Sequence, residues 1–165
     1  MYSGTIVTMT TRWLDDDEQR TWRAFVRLHK RLEAELNRRL QATANLSLAD
    51  YEVLVALTDV PEGRLRPYEM QKTLDWEQSR LSHHLGRMQR RDLVRREECA
   101  SDGRGAYVVL TDSGRQAITD AAPDHVETVR RLFFDALKPA QVSALRRLST
   151  QVLERLDAES FIRSP

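Results

Sequence analysis

A single cysteine, Cys99, stands in a chain of 165 residues. One thiol excludes an intramolecular disulfide framework and a multi-cysteine zinc site. No apolar run approaches the length of a membrane span, so no membrane partner is expected. Met1 to Thr11 has neither the charged start nor the apolar centre of a secretion signal, and a cytoplasmic location is the expectation. Phosphate-cradling glycine loops, a nucleophile elbow and a metalloprotease helix are all missing. Ser82, His83 and His84 are adjacent, but neighbouring helix positions point about 100° apart and deny them the nucleophile–base contact of acyl transfer. No catalytic residue and no cofactor is assigned; a small enzyme is the rival class. An excess of charge of one sign is lacking too: 26 Lys and Arg against 25 Asp and Glu leave a net charge of +1. Nothing global announces a polyanionic partner.

The local pattern does. Between Gln78 and Arg96 stand six arginines against one acid, Asp92, while acids group at Asp15-Asp16-Asp17-Glu18. A charge-balanced protein with one basic face is a reasonable footprint for duplex binding. Hydrophobic content of 41% and charged content of 31% fit a soluble, helix-rich chain: one compact domain, or one completed by a partner.

The basic stretch has an internal order. On a 3.6-residue period Leu81, Leu85 and Met88 share one narrow face. Ser79, His83, Arg87 and Arg90 fall opposite, with Arg80, His84 and Arg91 on one flank and Ser82 on the other. One side fits a core, while the other presents hydroxyls, imidazoles and guanidiniums suited to phosphates and base edges. A solvated basic helix face is the bland alternative.

Two strand-forming runs follow, Leu93-Val94-Arg95-Arg96 and Ala106-Tyr107-Val108-Val109-Leu110, around a tip of Asp102-Gly103-Arg104-Gly105. That is a hairpin signal. Helix, helix and β-hairpin with an arginine at the tip is the order of a winged helix-turn-helix. Residues 46–115 resemble the core of the MarR (multiple antibiotic resistance regulator) family of bacterial transcription factors, in its Arg-rich actinobacterial form. The resemblance is carried by Ser79-Arg80-Leu81-Ser82-His83-His84-Leu85, Arg90-Arg91-Asp92-Leu93-Val94-Arg95-Arg96, the hairpin tip and Leu110-Thr111-Asp112-Ser113-Gly114-Arg115. Asp92 departs from the glycine more usual there, and Asp tolerates a left-handed turn.

Along the rest of the chain, residues 1 to about 12 are Thr/Ser/Gly-rich, the composition of a loose terminus. Trp22, Phe25, His29, Leu32, Leu36 and Leu40 then mark a long helix, widened by Val26 and Leu28. Roughly 28 residues at 1.5 Å each make it about 40 Å long, more than a small core can cover. Ser47 reads as the next N-cap, with Asp50 giving an imperfect capping box. Pro67 opens a short helix to about Leu74. Asp75 or Glu77-Gln78-Ser79 starts the basic helix, with Trp76 as a core plug at the turn. Thr111 caps a further helix, in which Pro123 predicts a kink or break near Ala122. Pro139 opens the last, bearing Val142, Leu145, Leu148, Val152 and Leu156 near a seam repeat.

The predicted architecture is mainly α (α+β): a winged helix-turn-helix at 46–111 between helical dimerisation regions at 12–45 and 112–160. The resemblance implies a homodimeric repressor of a pseudo-palindromic operator on double-stranded DNA, released by a small aromatic or lipophilic effector. Gln78, Ser79, Arg80, Ser82, His83, His84 and Arg87 are the predicted major-groove residues. Arg104 is expected to reach a minor groove from the wing, and Asp102 to fix the wing by pairing with an arginine. Trp22, Phe25, His29 and Tyr51 are candidates for the effector pocket, though such a stripe also fits plain core. A metal- or redox-responsive regulator of the same fold is the alternative. Its ligands would come from His29, His83, His84, His125 and Cys99, yet His29 and His125 lie on different helices, and no metal is assigned.

Overall fold

A computed structural model describes residues 11–98 and 106–163, with side chains as far as 159. The chain forms two units, Met1–Ala34 and Glu35–Pro165. Helix α1 (Asp16–Ala44) begins in the first. The Asp15 carboxylate accepts from the Glu18 N–H at 2.8 Å, and Glu18 accepts from the Asp15 N–H at 2.9 Å. This reciprocal cap starts the helix at Asp16 rather than near residue 12. In that unit Trp22 stacks on Phe25 at 5.9 Å, and both rings are more than half exposed.

The second unit holds the core. Helix α2 (Leu48–Thr58) begins at a complete capping box: Ser47 Oγ accepts from the Asp50 N–H at 3.0 Å, and Asp50 accepts from the Ser47 N–H at 2.8 Å. Strand β1 (Arg64–Leu65) leads to α3 (Pro67–Leu74), whose Pro67 needs no N–H at its first turn. Asp75 closes α3 in the left-handed region, at φ 52°, so Glu77 and not Asp75 is the N-cap of α4 (Gln78–Arg90). Trp76 is buried at this turn, as a plug should be.

Strands β2 (Val94–Glu98) and β3 (Ala106–Leu110) pair antiparallel, Val94 facing Leu110. Cys99, Asp102 and Arg104 lie outside the described residues. The two-residue β1 adds a third strand on the far side of β3, in the order β1-β3-β2. No periodicity announces so short a strand. Val53, Leu54 and Leu57 of α2, Met70 of α3 and Leu81, Leu85 and Met88 of α4 close over Val108 and Leu110. Each large side chain so buried contributes about 1.5–3 kcal/mol.

The turn from α4 into β2 is fixed by side chains. Asp92 takes φ 56°, and its carbonyl accepts from Thr111 Oγ1 at 2.6 Å. The same hydroxyl accepts from the Gly114 N–H at 2.9 Å and caps α5 (Asp112–Leu132). Of the kink or break expected at Pro123, the break does not occur: helix α5 runs through it. Proline removes one N–H from the ladder, while buried Ala121 and Thr128 hold the turns on either side. A 3-10 turn (Phe134–Ala136) precedes α6 (Pro139–Arg163). Along α6, Leu148 and Val152 are 60% and 59% exposed, part of an apolar stripe open to solvent among the described residues. Among the described residues, no helix is long and apolar enough to cross a membrane.

Two glycines should respond oppositely to a methyl group. A Cβ at Gly114 would stand 2.0 Å from the Leu93 carbonyl oxygen, whereas one at Gly86 meets only the end of Arg90, at 3.9 Å. Gly114→Ala should cost about 3 kcal/mol or more through overpacking against backbone. Gly86→Ala should gain about 0.5–1 kcal/mol from helix propensity. Urea unfolding followed by tryptophan fluorescence reads both; equal effects would contradict this packing.

Candidate nucleic-acid interface

Helix α4 has two sharply different sides. Leu81, His84, Leu85 and Met88 are buried, and Gln78, Ser79, Arg80, Ser82, His83, Arg87 and Arg90 are exposed. The expected outward group His84 is the correction: its side chain is 5% exposed and turned inward. Position 84 lies three residues after Leu81 and four before Met88, so it belongs to the buried stripe and not to the flank.

What receives His84 is an acid. Nε2 lies 3.0 Å from Asp50 Oδ1, off the axis that an ideal ring N–H bond needs, so the contact is chiefly electrostatic. Arg91, just past α4, donates to Asp50 Oδ2 at 2.7 Å and also to the Asn45 carbonyl. Burial alone would raise the Asp50 carboxyl's pKa. His84, the Ser47 N–H and Arg91 outweigh it and hold the carboxyl well below the usual carboxylate range. The carboxylate therefore fastens the start of α2 to both the middle and the end of α4.

The other side of His84 leads outward. Its ring meets Trp76 edge-on at 5.4 Å, and the Arg80 guanidinium lies 4.1 Å over the Trp76 ring. Nδ1 is 2.7 Å from Arg87 Nη2. Arg80 and Arg87 are thus supported from beneath while their outer donors face solvent. Cation–π contact of this kind is worth about 0.5–1 kcal/mol at an exposed site.

Gln78 and Ser82 do not stand with His83 and Arg87. They line a cleft of about 470 Å³ between α3, α4 and the sheet, together with Arg66, Tyr68, Arg96 and Tyr107. The guanidiniums of Arg64 and Arg66 lie 4.9 and 5.1 Å from the Tyr107 ring centre. Sequence reasoning did not single out Arg66 or Tyr107. The arginine before Pro67 was the available signal, but only sheet pairing brings it to β3.

The four effector-pocket candidates divide between the units. Trp22 and Phe25 form their stacked pair, and His29 lies 3.7 Å from Glu33, all in the first. In the second, Tyr51 packs on His125 at 4.2 Å. Burial lowers the His125 pKa, opposed by the charge of Asp124, and raises that of Tyr51. Among the described residues, no three His, Cys, Asp or Glu side chains gather as a metal site.

The Asp50 network gives a pH signature. A carboxyl whose folded pKa is depressed adds stability that is complete above its unfolded pKa, near about 4, and lost as pH falls toward the folded value. Asp50→Asn, nearly isosteric, should destabilise at neutral pH by on the order of 3 kcal/mol. The gap to wild type should close as pH drops below about 4. Denaturant melts at several pH values check this, and a gap unchanged from neutral to strongly acid solution would contradict it.

Comparison with known proteins meets this geometry. A family model described as the MarR family matches residues 44–105. No curated protein matches the chain. Among solved structures it is similar to AbsC, a MarR family transcriptional regulator from Streptomyces coelicolor. The two are 38% identical with a TM-score of 0.85, over 90% of this chain and 99% of that one. It is also similar to Sco3205, a MarR family regulator from the same organism solved in complex with DNA. Here identity is 39% and the TM-score 0.86, over 90% and 92% of the two chains. A MarR mutant from E. coli complexed with operator DNA shares the fold at 22% identity and a TM-score of 0.74, over 86% and 99%. With identities of 38% and 39% over nearly the full length of two such regulators, the chain belongs to the MarR family of transcriptional regulators.

Proposed function

We propose that the protein is a homodimeric repressor that reads a pseudo-palindromic operator through the exposed side of α4. The observation that carries the reading is that side itself: Ser79, Arg80, His83 and Arg87 stand outward on a helix anchored by Leu81, Leu85 and Met88. A face of hydroxyl, imidazole and guanidinium groups meets both phosphates and base edges, and the dimensions of an α-helix fit the major groove. Among the described residues Arg80 and Arg87 are not paired with a carboxylate: their inner contacts are to a ring face and a ring nitrogen. Gln78 and Ser82, on the side of the cleft, serve the same helix where it approaches the sheet. Arg104 at the wing tip is assigned the adjacent minor groove and Asp102 the wing's own structure; both assignments come from the sequence.

The dimer rests on surplus apolar surface. Trp22, Phe25 and Leu28 in one unit and Leu148 and Val152 in the other are each about half exposed or more. Monomeric proteins rarely leave such stripes on long helices, and a two-fold partner removes them from water. Residues 12–45 and 112–160 are the proposed dimerisation regions, with 46–111 as the DNA-binding domain. Release by a small aromatic effector belongs to the same reading. Its support is the exposed Trp22–Phe25 stack of the first unit.

Selection from a random duplex pool should yield an inverted repeat with half-sites about one helical turn, roughly 34 Å, apart. Affinity for it should fall by at least roughly tenfold between 50 and 200 mM salt. Arg87→Ala should cost about 1–3 kcal/mol on the selected duplex and far less on a scrambled one. Light scattering should give a dimer at micromolar concentration. Equal affinity for random and selected duplexes, or a folded monomer, would overturn the corresponding half of the reading.

A further inference from the structure

His84 is buried and faces away from any ligand of the α4 surface, yet it holds a residue of that surface. Its Nδ1 lies 2.7 Å from Arg87 Nη2. A guanidinium has only donors, so Nδ1 must be the acceptor and the ring proton sits on Nε2. That placement agrees with the other contact, Nε2 at 3.0 Å from the Asp50 carboxylate. Two independent neighbours, one on α2 and one on α4, thus select the same tautomer. Trp76 closes the ring's remaining freedom edge-on. The charged groups around the imidazole are Asp50 from α2, Arg87 on α4 itself, Arg91 just past its end and Arg80 across the Trp76 ring.

We propose that His84 is a positioning residue for DNA specificity: its Nδ1 fixes the direction in which the exposed Arg87 guanidinium reaches. The inference rests on the reading that the exposed side of α4 meets DNA. An arginine with one donor tethered to a buried ring keeps four N–H groups for base edges and loses less freedom on binding than an untethered one. Arg87 is the one expected to touch the duplex, and His84 acts only through it.

The test is a cycle on the full-length protein, with fluorescence anisotropy giving affinity for a selected and a scrambled duplex. His84→Gln can place its amide toward Asp50 but offers no acceptor at the Nδ1 position. His84→Asn puts its carbonyl oxygen there. Circular dichroism and melting confirm that each protein is folded, and His84→Leu replaces His84→Gln if the latter is not. The selected-to-scrambled ratio should fall roughly tenfold in Arg87→Ala. It should fall as far in His84→Gln, and no further in the double variant. His84→Asn should stay within about threefold of wild type. A role in packing alone would instead lower affinity for both duplexes and leave the ratio unchanged. Losses that multiply in the double variant, a wild-type ratio in His84→Gln, or a ratio in His84→Asn as low as in His84→Gln would overturn the inference alone. A wild-type ratio in Arg87→Ala would overturn the DNA reading of that side chain and the inference with it.

Discussion

Asp50 is a carboxylate with only 3% of its surface exposed, and such a charge survives inside a protein only where donors surround it. Two donate hydrogen bonds, the Ser47 N–H of its own helix start and the guanidinium of Arg91, and the ring of His84 stands against it at 3.0 Å. The first makes it a helix cap and the other two make it a joint. Apolar packing between α2 and α4 resists separation but specifies rotation about the helix axis only loosely. A buried charge held close to His84 at the middle of α4 and hydrogen-bonded by Arg91 at its end specifies it more tightly. Which residues of α4 look outward is therefore settled at a point that no DNA could touch.

The consequence spreads to the surface through contacts that are individually small. His84 supports Arg87, Trp76 supports Arg80, and both arginines keep free donors on the solvent side. The far end of α4 is fixed differently, by Asp92 in a left-handed turn and the Thr111 hydroxyl that both receives Gly114 and donates to Asp92. That pair also sets where β2 begins and β3 ends. One helix is thus held at its middle and end by a buried charge and, at the exit, by a shared hydroxyl.

Much of this was legible in the sequence because it is local. Ser47, Pro67, Thr111 and Pro139 each announce a helix start by chemistry within a few residues, and Leu81, Leu85 and Met88 announce a buried side by spacing. Asp92 was acceptable in place of glycine for the reason the structure gives, a positive φ stabilised by neighbours. What was not legible is non-local. His84 looks like one more polar residue of a basic helix until Asp50, 34 positions earlier, is known to lie beneath it. The strand β1 exists only because β3 is there to pair with it. Pro123 signals a kink or a break, and packing on both sides keeps the helix from breaking there. The family motifs located the helix proposed to face DNA, but only the fold could say which of its side chains are spent on holding it.

The central claim is that the outward side of α4 lies in a groove against the bases. Photoreactive bases placed one at a time through the selected duplex, with crosslinked peptides mapped by mass spectrometry, test it most directly. Crosslinks from half-site bases should concentrate on residues 78–87, and those from the flanks on residues 101–105. Crosslinks falling instead on the exposed stripe of α6, or spread evenly over the lysines and arginines of the chain, would show that DNA is held elsewhere and would contradict the account.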